Sequence, residues 1–243
     1  MNNSYKVKKD SEEWVLKKFV SNKRLNVNIS GITPLDPPDF KMSRHINRKF
    51  KSIGVELTSV INPELKAAES AREKIVRIAR EKFRVQIKDK LVVYVDFDVH
   101  APQVFKPIEI ESVAQSLFEL IHKIASNNLP YEFRVEASGD SIHRMFRSVT
   151  VSNENGYENW QPFGSFKVPH IDTSWFTEII RKKESKIPSY QESFDEKWLV
   201  LIADFGSRSS YYQFSQIKHD FNASPFDKIY VYKYMEDEVI ILK

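Results

Sequence analysis

Two acidic residues carry the most chemical information in this sequence. Asp39 follows Pro37-Pro38 at the opening of an extended segment, and Glu56 sits inside Gly54-Val55-Glu56-Leu57-Thr58, with sixteen residues between the two acids. In a strand successive side chains point to opposite faces, so Glu56 and Thr58 share one face. If the two strands are neighbours, the carboxylates converge. Converging carboxylates repel unless a cation lies between them. Hard oxygen donors select magnesium or manganese. Such an ion orients water, lowers its pKa and neutralises charge on a phosphodiester. A third acid, Glu12, precedes Val15 and Leu16 by three and four residues, which places it on the inward face of a leading helix.

The elements that must position these acids follow from periodicity. Ser11 reads as an N-cap with Glu12 and Glu13 in the first turn, and Val15, Leu16, Phe19 and Val20 as one apolar stripe. Asn26 to Ile32 alternates as a strand, Thr33 to Pro38 turns, and Asp39 to Met42 opens a second strand. Residues 43–51 are basic and read as a loop or hairpin tip. Ile53, Val55 and Leu57 alternate with Gly54, Glu56 and Thr58 in a third strand. Asn62-Pro63-Glu64 starts a helix to about Val85, expected to pack on that sheet, and Leu91 to Phe97 is a buried strand. Glu111 to Ala125 is a third amphipathic helix, residues 131–171 an antiparallel patch, and Thr173 caps a fourth helix to about Lys183. Trp198 to Ala203, Ile229 to Tyr232 and Val239 to Leu242 are strands. No linker-like stretch divides the chain, so residues 1–243 are expected to form a single α/β domain. Its mixed central β-sheet is flanked by helices.

Composition narrows the chemistry. The 243 residues are 41% hydrophobic and 29% charged, with six glycines and no cysteine. That removes disulfides, zinc-thiolate sites and cysteine nucleophiles. No G-x-G occurs, so dinucleotide and kinase glycine loops are absent. The longest apolar run is six residues, too short to span a membrane, and residues 1–10 show no signal peptide; the expected location is cytoplasmic. Residues 1–51 hold twelve Lys and Arg against five Asp and Glu, an excess of +7 in a chain whose net charge is +4. That block suits a polyanion such as DNA or RNA. Asp96 and Asp98 end a buried strand, where acids more often cap a turn than hold a metal.

Taken together, Pro38-Asp39, Glu56-Leu57-Thr58, the inward acid Glu12 and the order of elements over about residues 11–98 resemble the PD-(D/E)xK nuclease superfamily, the restriction-endonuclease-like fold. The resemblance implies a helix, a three-stranded meander, a helix and a strand as a core, elaborated by residues 99–243. It implies Asp39, Glu56 and the carbonyl of Leu57 as ligands of Mg2+ or Mn2+, with Glu12 as an outer acid. It implies metal-dependent hydrolysis of nucleic acid. Thr58 stands where the family places its lysine, and threonine carries no positive charge. Two readings follow. Either a displaced lysine compensates, with Lys66, Lys41 and Lys51 the candidates, or the fold is catalytically inactive and serves as a nucleic-acid-binding or protein-interaction module.

Overall fold

The computed structural model describes residues 3–46, 49–98, 106–154, 156–164, 166, 168–217 and 219–243. In chain order the elements are α1 (Asn3–Val20), β1 (Ile29–Pro34), β2 (Phe40–Ile46), β3 (Lys49–Ser59), α2 (Pro63–Gln86), β4 (Val92–Phe97) and α3 (Pro107–Asn128). They continue with β5 (Arg134–Ser138), β6 (Phe146–Ser152), β7 (Asn159–Phe163), α4 (Thr173–Glu184), β8 (Glu196–Ala203), β9 (Lys228–Lys233) and β10 (Glu238–Ile241). The fold is α/β. It divides into two compact units, Met1–Ile61 with Val168–Lys243, and Asn62–Lys167. The single sheet expected from the sequence is therefore two sheets, one in each unit.

The first unit is built on a six-stranded mixed sheet ordered β1-β2-β3-β8-β9-β10. β1, β2 and β3 form the expected antiparallel meander, β3 pairs with β8 in parallel, β8 with β9 in parallel, and β10 closes antiparallel to β9. β8 is buried on both faces, which is why 198–203 reads as an unbroken apolar run. Trp198, Val200 and Ile202 pack with Val15, Leu16 and Phe19 of α1 and with Ile53, Val55 and Leu57 of β3. Leu199, Leu201 and Ala203 pack with Phe176 and Ile180 of α4. The sheet is thus covered by α1 on one face and α4 on the other. Truncating a fully buried Leu16 or Phe19 to alanine costs about 2–5 kcal/mol on the usual scale of such changes.

Three local expectations change. α1 begins at Asn3, so Ser11 is not a cap; it lies mid-helix and its hydroxyl donates back to the Val7 carbonyl at 3.0 Å. The basic segment 43–51 is mostly strand, with Arg44 opposite Lys51, His45 opposite Phe50 and Ile46 opposite Lys49. Asp172, not Thr173, caps α4, its carboxylate accepting the Trp175 N–H at 2.7 Å.

The second unit has its own sheet, ordered β5-β6-β4-β7. α2 starts as expected, with the Asn62 side chain accepting the N–H groups of Glu64 and Leu65. The core it joins is that of the second unit. Its buried Ile75, Val76, Ala79 and Phe83 share a core with Val93, Val95 and Phe97 of β4, Leu117 and Ile121 of α3, and Val149 and Val151 of β6. α2 and β4 therefore leave the core that residues 11–98 were expected to form. Within the first unit, the α-helix and strand that come next after the meander are α4 and β8, more than a hundred residues later in the chain. The 131–171 patch is antiparallel between β5, β6 and β4, but β7 pairs with β4 in parallel.

Candidate functional site

Pairing register brings Asp39 and Glu56 together. Phe40 lies opposite Val55, so one step outward Asp39 falls beside Glu56. Asp39 is then tied to β3 directly, because its Oδ2 accepts the Leu57 N–H at 2.9 Å. On β3, Ile53, Val55 and Leu57 face α1, which turns Glu56 toward α4, where it is 1% exposed. Thr58, half-buried, shares the Glu56 face two positions along.

The cation that Thr58 does not supply comes from α4. Lys183 Nζ donates to Glu56 Oε2 at 2.8 Å, to the Leu57 carbonyl at 3.2 Å and to Asp39 Oδ2 at 3.4 Å. Three oxygens, one from the residue before β2 and two from β3, thus converge on one ammonium. Lys183 lies in the last turn of α4 on the stripe of Phe176 and Ile180, and its side chain is 14% exposed. A second ammonium comes from α1. Lys9 Nζ contacts Asp39 Oδ1 at 3.4 Å and the Asp39 carbonyl at 3.2 Å, and lies 5.0 Å from the centre of the Phe40 ring. Glu12 Oε2 stands 3.7 Å from Lys9 Nζ, so Glu12 reaches Asp39 through Lys9 and not directly.

Aromatic side chains close over Glu56. The Tyr190 hydroxyl donates to Glu56 Oε1 at 3.4 Å, and its ring meets Phe194 edge-on at 5.9 Å. Phe194 lies against Gly54, where an added Cβ would stand 2.9 Å from the ring. The missing side chain at 54 therefore lets this lid approach the strand.

The charges split the two acids. Burial pushes the Asp39 carboxyl up, but Lys183, the Leu57 N–H and Lys9 outweigh it and hold Asp39 below its ordinary value. Glu56 is raised: burial dominates, and the neighbouring Asp39 charge adds to it against the pull of Lys183. Burial lowers the Lys183 ammonium, but Asp39 and Glu56 together raise it above its ordinary value. Tyr190 is raised by burial and by the Glu56 charge, so its hydroxyl keeps its proton.

The lysines expected to compensate for Thr58 are engaged elsewhere. Lys41 pairs with Glu192, Lys51 with Glu196 at 3.0 Å, and Lys66, in the second unit, with Glu69 at 3.6 Å. Lys18, from the same basic block, donates to the Tyr234 carbonyl at 3.2 Å and stacks on its ring. Arg48 lies outside the described residues. Asp96 belongs to the second unit, where Arg147 hydrogen-bonds it. Tyr212 and Phe214 pack against Phe176 and Ile180 of α4.

Sequence reasoning missed Lys183, Lys9 and Tyr190. A signal existed for both lysines: each sits on the buried stripe of its helix, Lys183 three residues after Ile180 and Lys9 seven before Leu16. Among the described residues no three His, Cys, Asp or Glu side chains group to hold a metal ion, so the converging donors are two carboxylates and a carbonyl. No described helix is long and apolar enough to cross a membrane. Comparison with protein-family models, curated proteins and solved structures finds no match for this chain.

Proposed function

We propose that the first unit is a metal-dependent nuclease domain of the PD-(D/E)xK type, in which Lys183 takes the part of the motif lysine. The observation that carries this reading is the convergence of Asp39 Oδ2, Glu56 Oε2 and the Leu57 carbonyl on one cation. The run α1, antiparallel β1-β2-β3, α4 and parallel β8 supports it, being the helix, meander, helix and strand that the resemblance implies. The donor set suits a hard divalent ion: every atom converging on the ammonium is oxygen, two of the three from carboxylates. Asp39, Glu56 and the Leu57 carbonyl would hold Mg2+ or Mn2+. When bound, such an ion activates water and neutralises a phosphodiester.

The chain's own residues do the rest. The Leu57 N–H and Lys9 fix Asp39 in its ionised, ligand-competent form. Tyr190 and Phe194 limit water around Glu56. Lys183 supplies from α4 the positive charge that position 58 lacks. The exposed basic residues of α1 and the β2–β3 hairpin would hold the nucleic-acid backbone without reading bases.

A second reading has one specific observation in its favour. Two ammonium groups, Lys9 and Lys183, already balance the two carboxylates, which is what a retired site kept as an internal ion-pair network looks like. The protein would then be a nucleic-acid-binding or protein-interaction module on the same fold. Incubation with labelled plasmid, single-stranded DNA and RNA in Mn2+ separates the two. Cleavage by the wild type that disappears in Glu56→Ala supports the nuclease. Salt-sensitive binding with no cleavage supports the module.

A further inference from the structure

We infer that the Lys183 ammonium is a displaceable plug in the metal position, so that a divalent ion must expel it in order to bind. The inference rests on the metal-site reading above and concerns how that site is regulated.

The contacts require competition. Lys183 Nζ sits 2.8 Å from Glu56 Oε2, 3.2 Å from the Leu57 carbonyl and 3.4 Å from Asp39 Oδ2, the same three oxygens proposed as ligands. A magnesium ion bonds oxygen at about 2.0–2.1 Å. An ion reaching those oxygens from the same side overlaps the ammonium.

Charge gives the same answer. With Lys9 and Lys183 in place, Asp39 and Glu56 are balanced. Counted over these four groups, a divalent ion added beside both lysines leaves two excess positive charges around a carboxylate that is 1% exposed, of which Glu12, 3.7 Å from Lys9, offsets one. Exchange of Lys183 for the ion leaves one on the same count.

Of the two lysines, Lys183 is the one built to leave. Lys9 is held by the Asp39 carboxylate and carbonyl, by Glu12 at 3.7 Å and by the Phe40 ring. Lys183 stands one residue from the end of α4, beside Ser185 and the exposed Lys186, and four side-chain torsions can carry its head outward without moving the helix.

The test is Mn2+ titration of the full chain, with no nucleic acid, by calorimetry and thermal shift. Wild type, Lys183→Met, Lys183→Gln and Lys183→Arg are compared, with Asp39→Asn/Lys183→Met as the control for the site. Lys183→Met and Lys183→Gln should bind Mn2+ roughly 10-fold or more tightly than wild type, the scale of removing one competing charge-assisted contact. Lys183→Arg should bind no tighter than wild type, and the double variant should lose the gain. Without metal Lys183→Met should melt lower, and Mn2+ should restore it, a rescue that a merely structural lysine does not allow. If Lys183→Met is unfolded without metal, refolding on Mn2+ supports the plug and failure to refold overturns it. Equal or weaker Mn2+ binding by the neutral variants also overturns it, while leaving the metal site standing. Absence of Mn2+ binding in wild type and in every folded variant sinks the metal-site reading itself.

Discussion

Consider the metal-free protein with Lys183 changed to methionine, a side chain of similar length without the charge. The ammonium lost lies 2.8 Å from Glu56 Oε2 and 3.4 Å from Asp39 Oδ2. At an effective dielectric near 20, those separations correspond to about 6 and about 5 kcal/mol of Coulomb attraction, upper bounds before desolvation is counted. Removing one partner from a buried pair usually destabilises by about 3–5 kcal/mol, because the other charge is left without compensation. Lys9 still covers Asp39, so the exposed liability is Glu56, and we expect a loss near the lower figure, about 3 kcal/mol at pH 7.5. For a chain of this size that is a fall in Tm of about 6–12 °C. The pH dependence follows from the shifts. Glu56 is already raised, and loss of Lys183 raises it further. Below that elevated value the native variant takes up a proton more readily than the unfolded chain, so the penalty shrinks as pH falls toward 4.5. Lys183 is raised, so its contribution is complete below its ordinary 10.5 and fades as pH rises through the higher folded value. The stability difference between wild type and variant should therefore be largest between these limits. Urea unfolding followed by the buried Trp198, with Glu56→Gln and the double variant completing a cycle, measures it. Coupling of about 1–3 kcal/mol is expected. A loss below about 0.5 kcal/mol, or strictly additive single changes, would refute the reasoning.

Two further outcomes follow from the architecture. Residues 62–167 expressed alone should fold, with cooperative thermal unfolding and native-like circular dichroism, because every residue of their core comes from within that span. In the same unit, the Arg80 guanidinium, and behind it Arg84, hold Glu158 down to about 2. Its contribution is present above its ordinary 4.5 and is lost as pH falls toward 2, so wild type and Glu158→Gln should converge in stability on acidification; parallel pH curves would contradict this.

The first unit's sheet was legible where one periodicity dominates. Residues 53–59 alternate because one face packs on α1 and the other faces α4, and 198–203 is continuously apolar because both its faces are covered. The division of the chain was not legible. At the first of the two crossings, from Ile61 to Asn62, the chain shows no glycine, charge run or change in composition, since a strand end and a well-capped helix start follow each other closely. The second unit carries amphipathic helices and buried strands of its own, so local pattern assigned α2 and β4 to the nearest available sheet. Pairing partners between β3 and β8 lie more than 140 residues apart, and strand periodicity holds no information over that distance.

The same interruption explains what was found and missed in the candidate site. Asp39 immediately precedes β2 and Glu56 lies on the neighbouring β3, so their convergence follows from a local register. Lys183 enters from a helix beyond the second unit's stretch of chain, so no spacing within the meander points to it. Within α4, Lys183 follows Arg181 and Lys182, and such a run reads as a solvated, dipole-matched helix end. Its position on the Phe176 and Ile180 stripe distinguishes it: a lysine repeating with buried apolar residues must bring its charge inward, and there it needs an acid. The move from strand to helix end also changes what the charge can do. A lysine at position 58 would be held on β3 itself, two residues from Glu56. At 183 it reaches the carboxylates through a flexible side chain from the last turn of a helix. A charge held in that way can balance the acids in one state and leave them in another, and the two readings of this site differ in whether it does.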